Sequence, residues 1–116
     1  MKRALLILAL AAGLIPLPAE AKNARCVIRQ NGTVAYSYSG ACHFHLEQGG
    51  SFSIRRHGGE HILPSIPDIS VYIVAPGIAE VRGLTINGNN SRWGSAVRSK
   101  KDPACWTGSD FEICAY

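Results

Sequence analysis

Apolar and polar residues alternate with a period of two along most of the chain after residue 21, and no stretch sustains a helical period. A period of two sends successive side chains to opposite faces of a strand. Residues 25–30 place Cys26, Ile28 and Gln30 on one face. Asn31-Gly32 then signals a tight hairpin. Residues 33–39 return, with Val34, Tyr36 and Tyr38 on one side, and Ser39-Gly40 predicts another turn. Cys42, Phe44 and Leu46 alternate with His43, His45 and Glu47, which puts Cys42 in phase with the core and the histidines outside.

Gln48-Gly49-Gly50 reads as a loop, and Phe52 and Ile54 mark a half-buried strand over 51–55. Gly58, Gly59, Pro64 and Pro67 make 56–68 a long loop. Residues 69–74 are apolar on both faces and rich in β-branched side chains, which predicts the most central strand. A turn at Ala75-Pro76-Gly77 leads to a strand over 78–86, with Gly83 as the site of a bulge. Asn87-Gly88 turns the chain into a strand over 91–98. Residues 99–103 form a polar loop, and a terminal hairpin ends the chain. If Ser109-Asp110 is its two-residue turn, Cys105 faces Cys114, Trp106 faces Ile113, Thr107 faces Glu112 and Gly108 faces Phe111. That register places Trp106 beside Ile113 on a buried face. Seven to eight short strands with regular turns predict an all-β fold, a small antiparallel sandwich or barrel.

The first 21 residues break this pattern. Lys2 and Arg3 precede an apolar run over 4–17, and Ala19-Glu20-Ala21 has the small-x-small form of a signal-peptidase site. The expectation is a signal peptide over 1–21 cleaved after Ala21, leaving a single domain over 22–116 with no membrane span. Pro16 and Pro18 interrupt the run, which is shorter than the roughly 20 residues a span requires. The whole chain carries 12 Lys+Arg and 8 Asp+Glu, and without Lys2, Arg3 and Glu20 the net charge is +3. A domain of this size buries only about 60–65% of its surface and depends on cross-links.

Four cysteines permit three pairings. They fall into two local pairs, Cys26 with Cys42 and Cys105 with Cys114, each bracketing a hairpin, which favours sequential disulfides. No Cys-x-x-Cys occurs, so zinc is disfavoured, and an exported chain meets an oxidising compartment.

Asn90-Ser91-Arg92-Trp93-Gly94, followed by Ala104-Cys105-Trp106-x-Gly108-x-x-Phe111-x-Ile113-Cys114-Ala115, resembles small exported proteobacterial proteins with no assigned function. Cys26-Val27-Ile28 and Gly40-Ala41-Cys42 match their early elements. The resemblance implies a periplasmic or secreted β-domain with two disulfides and carries over no catalytic residue. A thinner resemblance is to periplasmic lysozyme inhibitors, whose inhibitory loop carries Ser-Gly-x-x-Tyr. Here Ser39-Gly40-Ala41-Cys42-His43 has histidine at the tyrosine position. Inhibition of a basic lysozyme by a basic protein also runs against electrostatic steering.

Three groups of residues bear on chemistry. His43, His45 and Glu47 share one strand face and are of the types that hold zinc or copper. Spacing alone does not make a site, and the expectation is a solvated face with no cofactor. Arg92, Trp93, Arg98, Lys100 and Lys101 form a cationic stretch near Trp106, with Arg55 and Arg56 as further contributors. This is the expected binding surface, for an anionic envelope component or an acidic protein rather than nucleic acid. Glu47, Arg55 and His57 are the trio a small secreted ribonuclease-like hydrolase would use. No Gly-x-Ser-x-Gly elbow is present, and paired cysteines offer no nucleophile. The sequence therefore points to an exported, non-enzymatic binding protein, with lysozyme inhibition as the first alternative and hydrolysis as the second.

Overall fold

The computed structural model describes residues 21–31 and 35–116. Alternation along each strand decides which side chains turn inward, and the strands pair in chain order until the last meets the first. They are β1 (Ala21–Asn31), β2 (Ala35–Leu46), β3 (Phe52–Arg55), β4 (Asp68–Ala75), β5 (Ile78–Leu84), β6 (Asn90–Arg98), β7 (Cys105–Thr107) and β8 (Phe111–Ala115). All neighbours are antiparallel, and β1 pairs with β8 from Cys26↔Ala115 to Gln30↔Phe111, which closes a barrel. Closure is partial along the strands: β2 pairs with β3 only from His43 to Leu46, and β6 pairs with β7 only at Val97 and Arg98.

The interior is the alternate set from every strand: Cys26 and Ile28, Cys42, Phe52 and Ile54, Ile69 and Val71, Ala79 and Val81, Ala96, Trp106, Phe111 and Ile113. Each large member stabilises by about 1.5–3 kcal/mol relative to exposure. Charged side chains such as Arg29, Arg82 and Arg92 are on the outside. A membrane-spanning barrel has the opposite polarity, with an apolar band facing lipid. No helix among the described residues is long and apolar enough to cross a membrane.

Both disulfides form as the local pairing predicts, Cys26–Cys42 and Cys105–Cys114. The first joins β1 to β2 diagonally, since Cys26 faces Gly40 and Cys42 faces Ala24, and both cysteines belong to the core. The second joins directly facing residues, with Trp106↔Ile113 and Thr107↔Glu112 beside it, which is the predicted register. Gly108 N–H donates to Phe111 O at 2.8 Å and completes the tight turn.

Several expectations need correction. Ser39-Gly40 is not a turn: β2 runs unbroken through it, with Gly40 opposite Cys26. The Tyr38 hydroxyl donates back to Ala41 O, and a Cβ on Gly40 would lie 2.9 Å from that hydroxyl oxygen. Glycine is needed there for the ring's close approach, not for a reversal. Residues 69–74 are not a doubly buried central strand. A closed barrel has one inward face per strand, so Ile69, Val71 and Ile73 turn in while Val74 is 63% exposed. Gly83 is not the bulge. The register shifts on β6, where Trp93 is the extra residue between Arg92 and Gly94, and Gly83 makes room for its indole. The Asn31-Gly32 turn and the signal peptide fall largely outside the described residues, though Asn31↔Ala35 pair on either side of the former.

The two ends of the barrel differ. Residues 56–67 cross the end that carries the β5–β6 turn, where Ile86 N–H donates to Ser65 O at 3.1 Å. Ile62 and Leu63 from this segment are 2% exposed and join the core. This loop is therefore a plug. At the opposite end lie the Pro76-Gly77 turn, the Gln48–Gly50 turn, residues 99–104 and Tyr116, and the interior opens between them.

Candidate functional site

The open end is a mouth of about 560 Å³. Its wall follows from the inward phase of the strand ends. Phe44 and Leu46 close β2, Phe52 begins β3, Ile73 comes near the end of β4, and Trp106 and Ala115 come from β7 and β8. The Phe44 and Phe52 rings stack at 4.8 Å between centroids. Pro76, Gly77, Pro103 and Ala104 complete the lip.

Among the described residues Arg98 is the only charged one in that lining. Its Nε donates to Pro103 O at 2.7 Å, and its guanidinium lies 5.6 Å from the centroid of the Trp106 ring. This leaves four of its five N–H donors without a side-chain or backbone acceptor among the described residues, and no carboxylate pairs with it. Its backbone is fixed by Arg98 N–H to Gly77 O at 2.9 Å. Lys100 and Lys101 are exposed on the adjoining turn, which Ser99 Oγ organises by accepting from Lys101 N and Asp102 N, each at 3.2 Å. Lys22 Nζ lies 5.4 Å from the Phe44 ring on the other side of the mouth, and Arg25 stacks on Tyr116 at 5.9 Å. The hydrogen bond it makes to Asp102, and to a lesser degree burial, hold the Tyr116 hydroxyl above its ordinary pKa.

The predicted cationic stretch is thus divided. Arg98, Lys100 and Lys101 reach the mouth. Arg92 is on the outer wall, forked onto Glu80. Trp93 is half-buried toward the plugged end and packs edge-on against Phe111 with centroids 5.7 Å apart. Arg55 and Arg56 are across the barrel, with Arg56 paired to Glu60 at 3.1 Å.

A second polar group occupies the outer face of β2, β3 and β4. His43, His45, Ser53, Arg55 and Asp68 line a depression of about 180 Å³. His57, from the turn after β3, meets His43 with Nδ1 and Nε2 2.8 Å apart. Desolvation, reinforced by His57 and Arg55, lowers the His43 pKa, and its Nδ1 is buried without a partner. Burial raises the Asp68 pKa, opposed by Arg55 and assisted by Glu47. Of the hydrolytic trio, Arg55 and His57 both approach His43. Glu47 lies just beyond β2 and is exposed. Asp68 was not singled out by sequence, because only the β3–β4 pairing brings it alongside Arg55.

For metal, His43, His45 and Glu47 do not converge. Among the described residues the set whose ligating atoms lie within 4.8 Å of one another is Cys105, Glu112 and Cys114. Its two sulfurs are bonded to each other and cannot ligate as thiolates. Ser39-Gly40, which carries the likeness to lysozyme inhibitors, lies within β2 rather than in a loop. No protein family, curated protein or solved structure matches this chain.

Proposed function

We propose that this chain is an exported, non-enzymatic binding protein whose barrel mouth takes an anionic amphiphile, the apolar tail inside and the acidic head at Arg98. The observation that carries the reading is the asymmetry of the barrel. One end is filled by Ile62 and Leu63, and the other holds an apolar mouth with a single under-used guanidinium at its lip. The volume is in the range of about 300–1,000 Å³ typical of ligand pockets, and so is the mix of apolar wall and few polar groups. A planar guanidinium suits a carboxylate or phosphate, and its stacking on Trp106 holds it in place. Export is supported by the leader pattern before residue 22 and by two formed disulfides, which persist in oxidising compartments.

Calorimetric titration with laurate, below its micellar concentration, tests this. Wild type binds one equivalent. Arg98→Gln weakens binding about ten- to a hundredfold, as loss of a charge-assisted hydrogen bond does. Ile73→Trp fills the mouth and abolishes it. Absence of binding by the wild type, or affinity unaffected by both substitutions, contradicts the proposal.

A further inference from the structure

The open end is unlike the rest of the surface in two independent respects. The first is apolar. Of the eight large hydrophobic side chains exposed among the described residues, Leu46, Val74, Ile78, Val97 and Tyr116 stand at this end. Ile78 faces Val97 across β5 and β6 on the outer wall, and Val74 is beside them at the β4–β5 turn. The second is charge. The ion pairs among the described residues use Arg29, Arg56 and Arg92, all away from the mouth. Of the seven cations with no carboxylate partner among those residues, Lys22, Arg25, Arg98, Lys100 and Lys101 surround the mouth, and Arg55 and Arg82 stand apart on the walls. Of the acidic side chains near them, Asp102 already accepts from the Tyr116 hydroxyl and Ala104 N–H.

Uncompensated cations ringing protruding aliphatic and aromatic side chains match the boundary of an anionic bilayer. Phosphate headgroups meet the charges while the apolar tips enter the acyl boundary. We propose that the open end docks on an anionic lipid surface, with Val74, Ile78 and Val97 as the inserting edge and the five cations as the electrostatic ring. The inserting edge is separate from the mouth interior, because those three side chains point outward, and Arg98, which the ring shares with the mouth, is left unchanged in the surface variants below. The net charge of +3 over residues 22–116 is modest, so its concentration at one end, rather than its total, supplies the attraction.

Flotation with liposomes tests it, using the protein as recovered from the cell envelope with its N-terminus determined by mass spectrometry. Wild type floats with phosphatidylcholine vesicles carrying about 30% phosphatidylglycerol, does not float with pure phosphatidylcholine, and releases as salt rises from about 50 to 300 mM. Replacing Lys22, Lys100 and Lys101 by Gln weakens binding about a hundredfold. Val74→Asp with Val97→Asp weakens it at least about tenfold, with the circular dichroism spectrum unchanged. Ile73→Trp, which blocks the mouth, leaves flotation as in wild type, so failure of the amphiphile reading and failure of this one separate. No flotation with anionic vesicles, or flotation insensitive to both surface variants, overturns the proposal. A dimer that Val97→Asp dissociates, without vesicle binding, would assign the edge to a second copy and overturn it equally.

Discussion

Trp106 serves two surfaces at once: its indole closes the core beside Ile113 and also forms part of the mouth under Arg98. Trp106→Ala should therefore lower stability by about 3–5 kcal/mol in urea unfolding, the usual cost of a deleted core aromatic. Trp106→Phe should recover most of that stability. Gly83 is the complementary case, since an added Cβ would lie 2.8 Å from Trp93 Nε1. Gly83→Ala should cost about 1–3 kcal/mol through overpacking. His43 links structure to pH. Its folded pKa is below the unfolded 6.5, so the unfolded chain takes up the proton first. The stability tied to neutral His43 is complete above about pH 6.5 and is lost as pH falls through the folded value. Asp68 has the opposite sign: its folded pKa is raised from 3.8, so its contribution is full below that value and declines as pH rises through the folded one. Melting temperature measured from about pH 7.5 to 5 should fall less steeply in His43→Gln than in wild type. An unchanged slope would show that His43 is not the titrating group. The inward phase of Cys42 and the outward phase of His43 were legible from alternation alone. The partners of His43 and Gly83 were not, because contact across strands depends on register that no local pattern encodes.

At the scale of elements, the β7–β8 hairpin was readable down to its register, since one two-residue turn between two cysteines fixes every facing pair. The two disulfides close loops of different length, with separations of 16 and 9 residues. Chain entropy alone assigns them about 3 and about 2.5 kcal/mol. Replacing Cys26 and Cys42 by Ala should cost more than this difference suggests, because both side chains also fill the core. Replacing Cys105 and Cys114 should cost less, since that pair closes the shorter loop and, though buried, lies outside the main core cluster. Urea midpoints of the two double variants decide the order, and the reverse order would contradict the account. Residues 56–67 were legible only as a loop. Glycines and prolines announce irregular backbone, but that Ile62 and Leu63 plug a barrel depends on there being an open end for them to fill.

The whole molecule is a closed barrel with one end filled by Ile62 and Leu63 and the other open, and five of its cations gather at the open end. Arg29, Arg56 and Arg92, on the walls and near the plug, are paired with carboxylates, while the five cations at the mouth have no such partner among the described residues. Of the cationic stretch expected from the sequence, Arg98, Lys100 and Lys101 lie at the open end. Arg92 and Trp93 share the stretch but lie away from the mouth, because the bulge at Trp93 shifts the register of β6, a displacement no local pattern encodes. The count of strands was legible, whereas the choice of barrel over sandwich rests on the β1–β8 pairing between the ends of the chain. Nitrogen-15 chemical-shift mapping during a laurate titration shows which surface of the barrel the ligand meets. Binding in the mouth should give the largest shifts at Ile73, Ala104, the Trp106 indole and the Arg98 side chain, with His43 and Arg55 unmoved. Shifts confined to the His43–Arg55 depression, or none at saturating laurate, would contradict it.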